Sequence, residues 1–168
     1  MRKFRLIIIT GLPGTGKTTL ARDLAKRHGL ALICKDTIKE PLMDMLGSRV
    51  SSRELSNAAF AVMFSMSRQL LAQGDSLILE GNFRAGEHEV PLFAALPASA
   101  PTIVQVLCSA DEEERRARLL QRALDSSRHP GHRDAGQLDA AAVCDSFLEL
   151  PGERLTYRVG LPVCEISW

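Results

Sequence analysis

The chain has 168 residues, 45% of them hydrophobic and 24% charged, with a formal net charge of +1. That length calls for a single domain over 1–168 with one main core, and near-neutrality provides no global field for holding long nucleic acid, so a small acceptor is expected. The four cysteines, Cys34, Cys108, Cys144 and Cys164, show no metal-type spacing, and no apolar run approaches the length of a signal sequence or a membrane span. Reduced thiols and a soluble cytoplasmic protein are the expectation.

Phe4 to Thr10 is an apolar run that reads as the first strand. The next eight residues, Gly11, Leu12, Pro13, Gly14, Thr15, Gly16, Lys17 and Thr18, fit G-x-x-x-x-G-K-[ST], with Thr19 following in a helix over Lys17 to His28. A strand, a glycine-rich turn and a helix start aim several backbone N–H groups and a helix dipole at one point, which suits a phosphate. Lys17 can reach the outer phosphates of a nucleotide, and the Thr18 hydroxyl can join a magnesium shell. The glycine spacing does not fit a dinucleotide fingerprint.

Leu30 to Cys34 reads as a second strand, followed by a helix through Ile38, Leu42 and Met45 to Gly47, with Pro41 in or near its first turn. Ser51 and Glu54 form a capping box opening a long helix that stops at Gly74. Ser76 to Glu80 is the third strand, Glu87 to Leu96 a helix, Thr102 to Ser109 the fourth strand and Asp111 to Ala123 a charged helix. Pro130 and Gly131 interrupt the pattern, a helix is expected near Leu138 to Phe147, and Pro162 to Ser167 is the candidate fifth strand. Strands alternating with helices make a three-layer α/β/α sandwich on a five-stranded parallel sheet, with ligands at the strands' carboxyl ends. Asp36, Glu80, Asn82 and Ser109 fall there.

With the phosphate loop, two further segments carry a resemblance: Leu32 to Glu40, containing Lys35-Asp36-Thr37-Ile38-Lys39, and Arg118 to Asp134, containing Arg128-His129-Pro130-Gly131-His132. The chain resembles small P-loop kinases, specifically AAA-family ATPase-like proteins similar to polynucleotide 5'-kinase, zeta-toxin kinases and chloramphenicol phosphotransferase. The resemblance implies a nucleoside-kinase-like fold that uses ATP and magnesium to phosphorylate a hydroxyl. It implies that Asp36 orients and deprotonates the acceptor, and that Arg122 contacts the transferring phosphoryl group while Arg118 lies near the nucleotide. Lys39 stands where the polynucleotide kinases carry arginine, and lysine lacks arginine's bidentate fork.

Several residues admit more than one role. Asp36 also suits the N-cap of a helix starting at Thr37, and Arg122 also suits a solvated pairing with Glu114, the role expected of Arg115 and Arg116. Lys35 fits a salt bridge or an acceptor contact. Glu80, ending an apolar strand, fits a magnesium site, a structural carboxylate, or acceptor binding together with Asn82 and Arg84. Met43, Met45, Phe60, Met63, Phe64 and Met66 read as core. Were some to face the cleft, the acceptor would be a partly apolar alcohol. Arg128, His132 and Arg133 belong to a basic lid over about 118–134 that would meet phosphate on closure, a better fit than a two-histidine metal site. The leading reading is an ATP-dependent kinase of a small-molecule or nucleoside-like hydroxyl; the alternatives are a 5'-hydroxyl polynucleotide kinase and a non-catalytic ATP-gated binding module.

Overall fold

The computed structural model describes residues 4–126, 129 and 146–159. Its architecture follows from alternation along β1, Arg5–Gly11. Successive strand side chains point to opposite faces, so Leu6 and Ile8 enter one apolar cluster while Ile7 and Ile9 enter another, all four without solvent exposure. A strand apolar on both faces needs cover on both sides. One cover is α1, Lys17–His28, through Leu20, Ala21 and Leu24; the other is α3, Ser52–Ala72, through Phe60, Met63 and Phe64. Burying an aliphatic or aromatic side chain of this size contributes roughly 1.5–3 kcal/mol.

The remaining strands are β2 (Ala31–Cys34), β3 (Leu77–Glu80), β4 (Thr102–Ser109) and β5 (Glu153–Arg158), and the remaining helices are α2 (Lys35–Leu46), α4 (Glu89–Phe93) and α5 (Glu112–Ala123). All pairings are parallel, in the order β2-β3-β1-β4-β5. The register sets Ile9 and Cys34 beside Glu80, and Gly11 beside Cys108, so the strand ends form one edge. The chain passes to β2 and β3 on one side of β1 and to β4 and β5 on the other, which opens a crevice at the carboxyl ends.

The capping box at Ser51 and Glu54 forms as expected, each side chain bonding the other residue's backbone N–H. Three expectations are corrected. Pro41 lies in the interior of α2, because the helix begins directly at Lys35 without an intervening loop. Asp36 is therefore inside the first turn and does not cap it; Cys34 holds the N-cap position. The fifth strand is Glu153–Arg158, whereas 162–167 lies outside the described residues. A sheet-edge strand with one wet face shows polar alternation, here Leu155 and Tyr157 packing inward between charged neighbours, and this hides it among loop residues. The helix expected near 138–147 falls largely outside the described residues, and Phe147 is not helical.

Buried Gln105 in β4 was also unforeseen. Its side-chain oxygen accepts from the Leu148 backbone N–H at 2.9 Å, and its amide nitrogen donates to the carbonyls of Leu148 and Leu150 at 3.3 and 3.4 Å. One amide thereby satisfies the backbone of the segment leading into β5.

Candidate functional site

The loop after β1 is shaped by glycine. Gly14 and Gly16 have φ of 87° and 81°, and Gly11 has φ 137° with the Cys108 carbonyl oxygen 2.2 Å from where a Cβ would sit. No other residue fits at Gly11 without displacing β4. The Leu12 carbonyl gathers the loop, accepting from the Thr15 hydroxyl at 2.7 Å and from Lys17 Nζ at 2.9 Å. Lys17 is thus held across the loop, nearly buried at the start of α1. A Cβ on Gly16 would meet Val159, so the turn after β5 closes over the loop as well.

Beside this loop, Glu80 accepts from the Thr18 hydroxyl at 3.3 Å and is hydrogen-bonded by the Cys34 thiol. Burial raises the Glu80 carboxyl above its ordinary value; Lys17 opposes the shift and Asp36 adds to it. Both charges are therefore felt at Glu80, which stands between the loop and α2. Burial and the Glu80 charge push the Cys34 thiol up to about 12, and burial does the same to Cys108. Neither thiol is a nucleophile at neutral pH.

A carboxyl raised by folding binds its proton more tightly in the native chain, so its contribution is favourable at low pH and is lost as pH rises through the native value. Glu80→Gln is expected to raise the melting temperature of the metal-free protein near pH 7 and to narrow the gap between wild type and variant near pH 4. Thermal melts across that range check this; a gap independent of pH would remove Glu80 as the group responsible.

At the start of α2, Lys35 donates to Asn82 Oδ1 at 2.9 Å, lies 3.5 Å from Asp36 Oδ1 and stands over the Phe60 ring. It is a buried brace, and Asp36 is half-exposed beside it. Lys39 is also buried, donating to Ser52 and Ser56 at 3.0 and 2.8 Å. Burial and then the Lys35 charge lower its pKa. Glu80 turns toward the phosphate loop, while Asn82 and Arg84 line a cavity of about 360 Å³ between the first turns of α3 and the segment after β3. Arg84 pairs with Glu87 at 3.3 Å.

The cavity wall is polar apart from Phe60. Met63 and Phe64 are core, and Met45 and Met66 are exposed, so no thioether surface lines the cavity. His88, which no sequence signal singled out, is buried against the Phe60 ring at 4.0 Å, and its Nδ1 accepts from the Arg84 backbone N–H at 2.9 Å.

Helix α5 supplies the arginines. Arg115 departs from expectation: it is buried, gripping the Glu112 carboxylate with two nitrogens at 2.9 Å while a third reaches the Pro13 carbonyl at 3.5 Å. The bonds from Arg115 and Arg116 hold the Glu112 carboxyl near 2. Arg116 is the exposed partner expected. Arg118 takes Glu114 at 2.5 Å and donates to the Gly14 carbonyl at 3.4 Å. Glu114 is thus engaged by Arg118, and Arg122, half-buried one turn on, makes no side-chain hydrogen bond among the described residues. His129 meets Asp44 of α2 at 2.9 Å. Arg128, His132 and Arg133 lie outside the described residues.

The structure therefore joins Lys17, Thr18 and Glu80 at one end of the crevice and Lys35, Asp36 and Asn82 at the other. Known proteins share this frame. The profile of an AAA domain family matches residues 6–143, and the chain belongs to that family. A candidate kinase from Chloroflexus aurantiacus is 33% identical with a TM-score of 0.82, the match covering 92% of this chain and 88% of that one. A gluconokinase from Sinorhizobium meliloti 1021 shares the fold at 16% identity and a TM-score of 0.59, covering 96% and 86% of the two chains. So does a chain of the Pnkp1/Rnl/Hen1 RNA repair complex, at 16% identity and a TM-score of 0.61, covering 83% and 45%. An uncharacterized protein of Mycobacterium tuberculosis is 30% identical over 128 residues, 71% of this chain, and this chain spans only 26% of that relative's length. The protein is P-loop kinase-like. Among the described residues no helix is long and apolar enough to cross a membrane.

Proposed function

We propose that the protein transfers the γ-phosphoryl group of ATP to a hydroxyl of a small-molecule acceptor. The observation that carries this reading is the placement of Glu80 at the end of β3, between β1 with its phosphate loop and β2 with Asp36 two residues beyond it, and a polar cavity opening beyond Lys35 and Asn82. Phosphoryl transfer asks a protein chiefly for alignment and charge stabilisation. The glycine loop offers the backbone N–H groups for the phosphates, and Lys17 the ammonium. Thr18 and buried Glu80 form a hard oxygen pair suited to magnesium, which when bound neutralises phosphate charge.

Asp36 is exposed enough to meet an acceptor yet held at Lys35. As the acceptor O–H bond breaks, its proton passes to Asp36, the oxygen bonds the γ-phosphorus, and the bond from that phosphorus to the bridging oxygen breaks to release ADP. Arg122 takes the charge that spreads over the migrating oxygens. Arg118 braces the loop at Gly14.

Incubation with γ-labelled ATP and fractionated small metabolites, followed by mass spectrometry, tests the reading. A product heavier by one phosphate is expected, and its absence with every hydroxyl acceptor, despite measured nucleotide uptake, would favour an ATP-gated binding module. Lys17→Ala is expected to weaken nucleotide binding by roughly ten- to a hundredfold, the loss of one charge-assisted contact. Titration calorimetry measures it; unchanged affinity would place the nucleotide elsewhere.

A further inference from the structure

The cavity beyond Lys35 and Asn82 presents chiefly hydrogen-bond donors, with the exposed amide of Asn57 offering an acceptor as well as a donor. Ser56 Oγ accepts from Lys39 and gives its own hydrogen to the Ser52 carbonyl at 3.0 Å. Ser52 Oγ also accepts from Lys39, which leaves its hydrogen for the cavity. His88 Nδ1 lies 2.9 Å from the Arg84 amide, which donates to it, and 3.3 Å from the Arg84 carbonyl; the shorter bond favours the neutral tautomer with its proton on Nε2, for which no hydrogen bond is seen among the described residues. The one acceptor atom of Asn82, its Oδ1, is engaged by Lys35, and the Glu87 carboxylate is engaged by Arg84.

Charge follows the same pattern. Lys35 faces Asp36 and Arg84 faces Glu87, whereas Lys39 and Arg53 form no ion pair with a carboxylate among the described residues. Arg53 stands in the first turn of α3, at the positive end of the helix dipole, where a cation is disfavoured and an anion favoured. An anion bound there would meet both the Arg53 guanidinium and the helix dipole.

We propose that the acceptor is a small alcohol that also carries an oxyanion, a carboxylate or a phosphate, held by Arg53 and the Ser52 hydroxyl, with His88 Nε2–H donating to a further oxygen. This deepens the kinase reading and rests on it for the word acceptor. A volume of about 360 Å³ suits such a compact molecule. Burial also lowers the pKa of His88, which favours its neutral ring, and burial with the Lys35 charge lowers that of Lys39 while Asp36 opposes the shift.

Matched probes test the proposal on the whole protein with magnesium and a non-hydrolysable ATP analogue: D-gluconate against D-glucose, and glycerol 3-phosphate against glycerol. At millimolar concentration at least one anion is expected to shift the His88 ring nitrogen resonance while its neutral counterpart does not. Arg53→Gln, a change at an exposed position, is expected to weaken that anion by roughly ten- to a hundredfold. His88→Asn keeps an acceptor near the Arg84 amide but removes the Nε2–H, so it should weaken binding more than His88→Gln, whose longer amide restores a donor. A purely structural histidine predicts the reverse order. A resonance unmoved by both anions, an equal response to the neutral members, or wild-type affinity in Arg53→Gln would overturn the proposal. Anion-selective binding without label transfer from ATP would instead sink the kinase reading and leave the anion pocket standing.

Discussion

Arg122→Ala is expected to lower turnover by about 10³–10⁵-fold, the range over which a mobile arginine acts in phosphoryl transfer, while nucleotide affinity stays within a few-fold of wild type. The argument is one of elimination and charge. Of the arginines on α5, Arg115 is locked between Glu112 and Pro13, Arg116 is an outward partner of the same Glu112, and Arg118 is shared between Glu114 and Gly14. Arg122 alone of these four has no such engagement among the described residues, and it sits one turn beyond Arg118 on the same side. A guanidinium already in an ion pair must lose that pair to reach a developing charge; one that is half-buried without a partner need not. Single-turnover kinetics with saturating ATP, compared with nucleotide titration, measures the two quantities separately. An equal fall in both would make Arg122 a ground-state binding group.

Asp36→Asn is expected to reduce turnover by about 10²–10⁴-fold, as loss of a general base does, and to leave nucleotide binding and folding close to wild type. The structure sharpens this test by removing the capping role. Asp36 lies within α2, one residue past its start, and the cap position belongs to Cys34. The amide forfeits a favourable helix-dipole term and the charge in the 3.5 Å contact to Lys35, which retains Asn82. A melting temperature close to that of wild type beside a collapse in rate is the expected pair of results. Wild-type rates in single turnover with the identified acceptor would dismiss Asp36 as the base.

The contrast between these residues shows how far local pattern reaches. The phosphate loop, the capping box at Ser51 and the helix ending at Gly29 were legible because each is encoded within a few residues by φ preference and short-range hydrogen bonding. The parallel sheet was legible from its alternating order of elements. Arg115 was misjudged because its short-range neighbour Glu112 is visible in sequence, whereas its contact with Pro13 spans 102 positions. His88 left no trace for a similar reason. A lone histidine in a loop acquires meaning only when α3 brings Phe60 against it and the Arg84 amide favours one tautomer.

By itself the sequence determined that this chain cradles phosphate: glycines that tolerate left-handed geometry, a lysine and a threonine at a helix start are contiguous, and contiguous chemistry needs no fold to be read. Only the tertiary structure decided which charges remain uncommitted. Lys35, Lys39 and Arg118 look available in one dimension, yet packing gives each a partner from a different element. A buried cation must be hydrogen-bonded or paired, and that demand is met by residues whose distance along the chain carries no information about their distance in space.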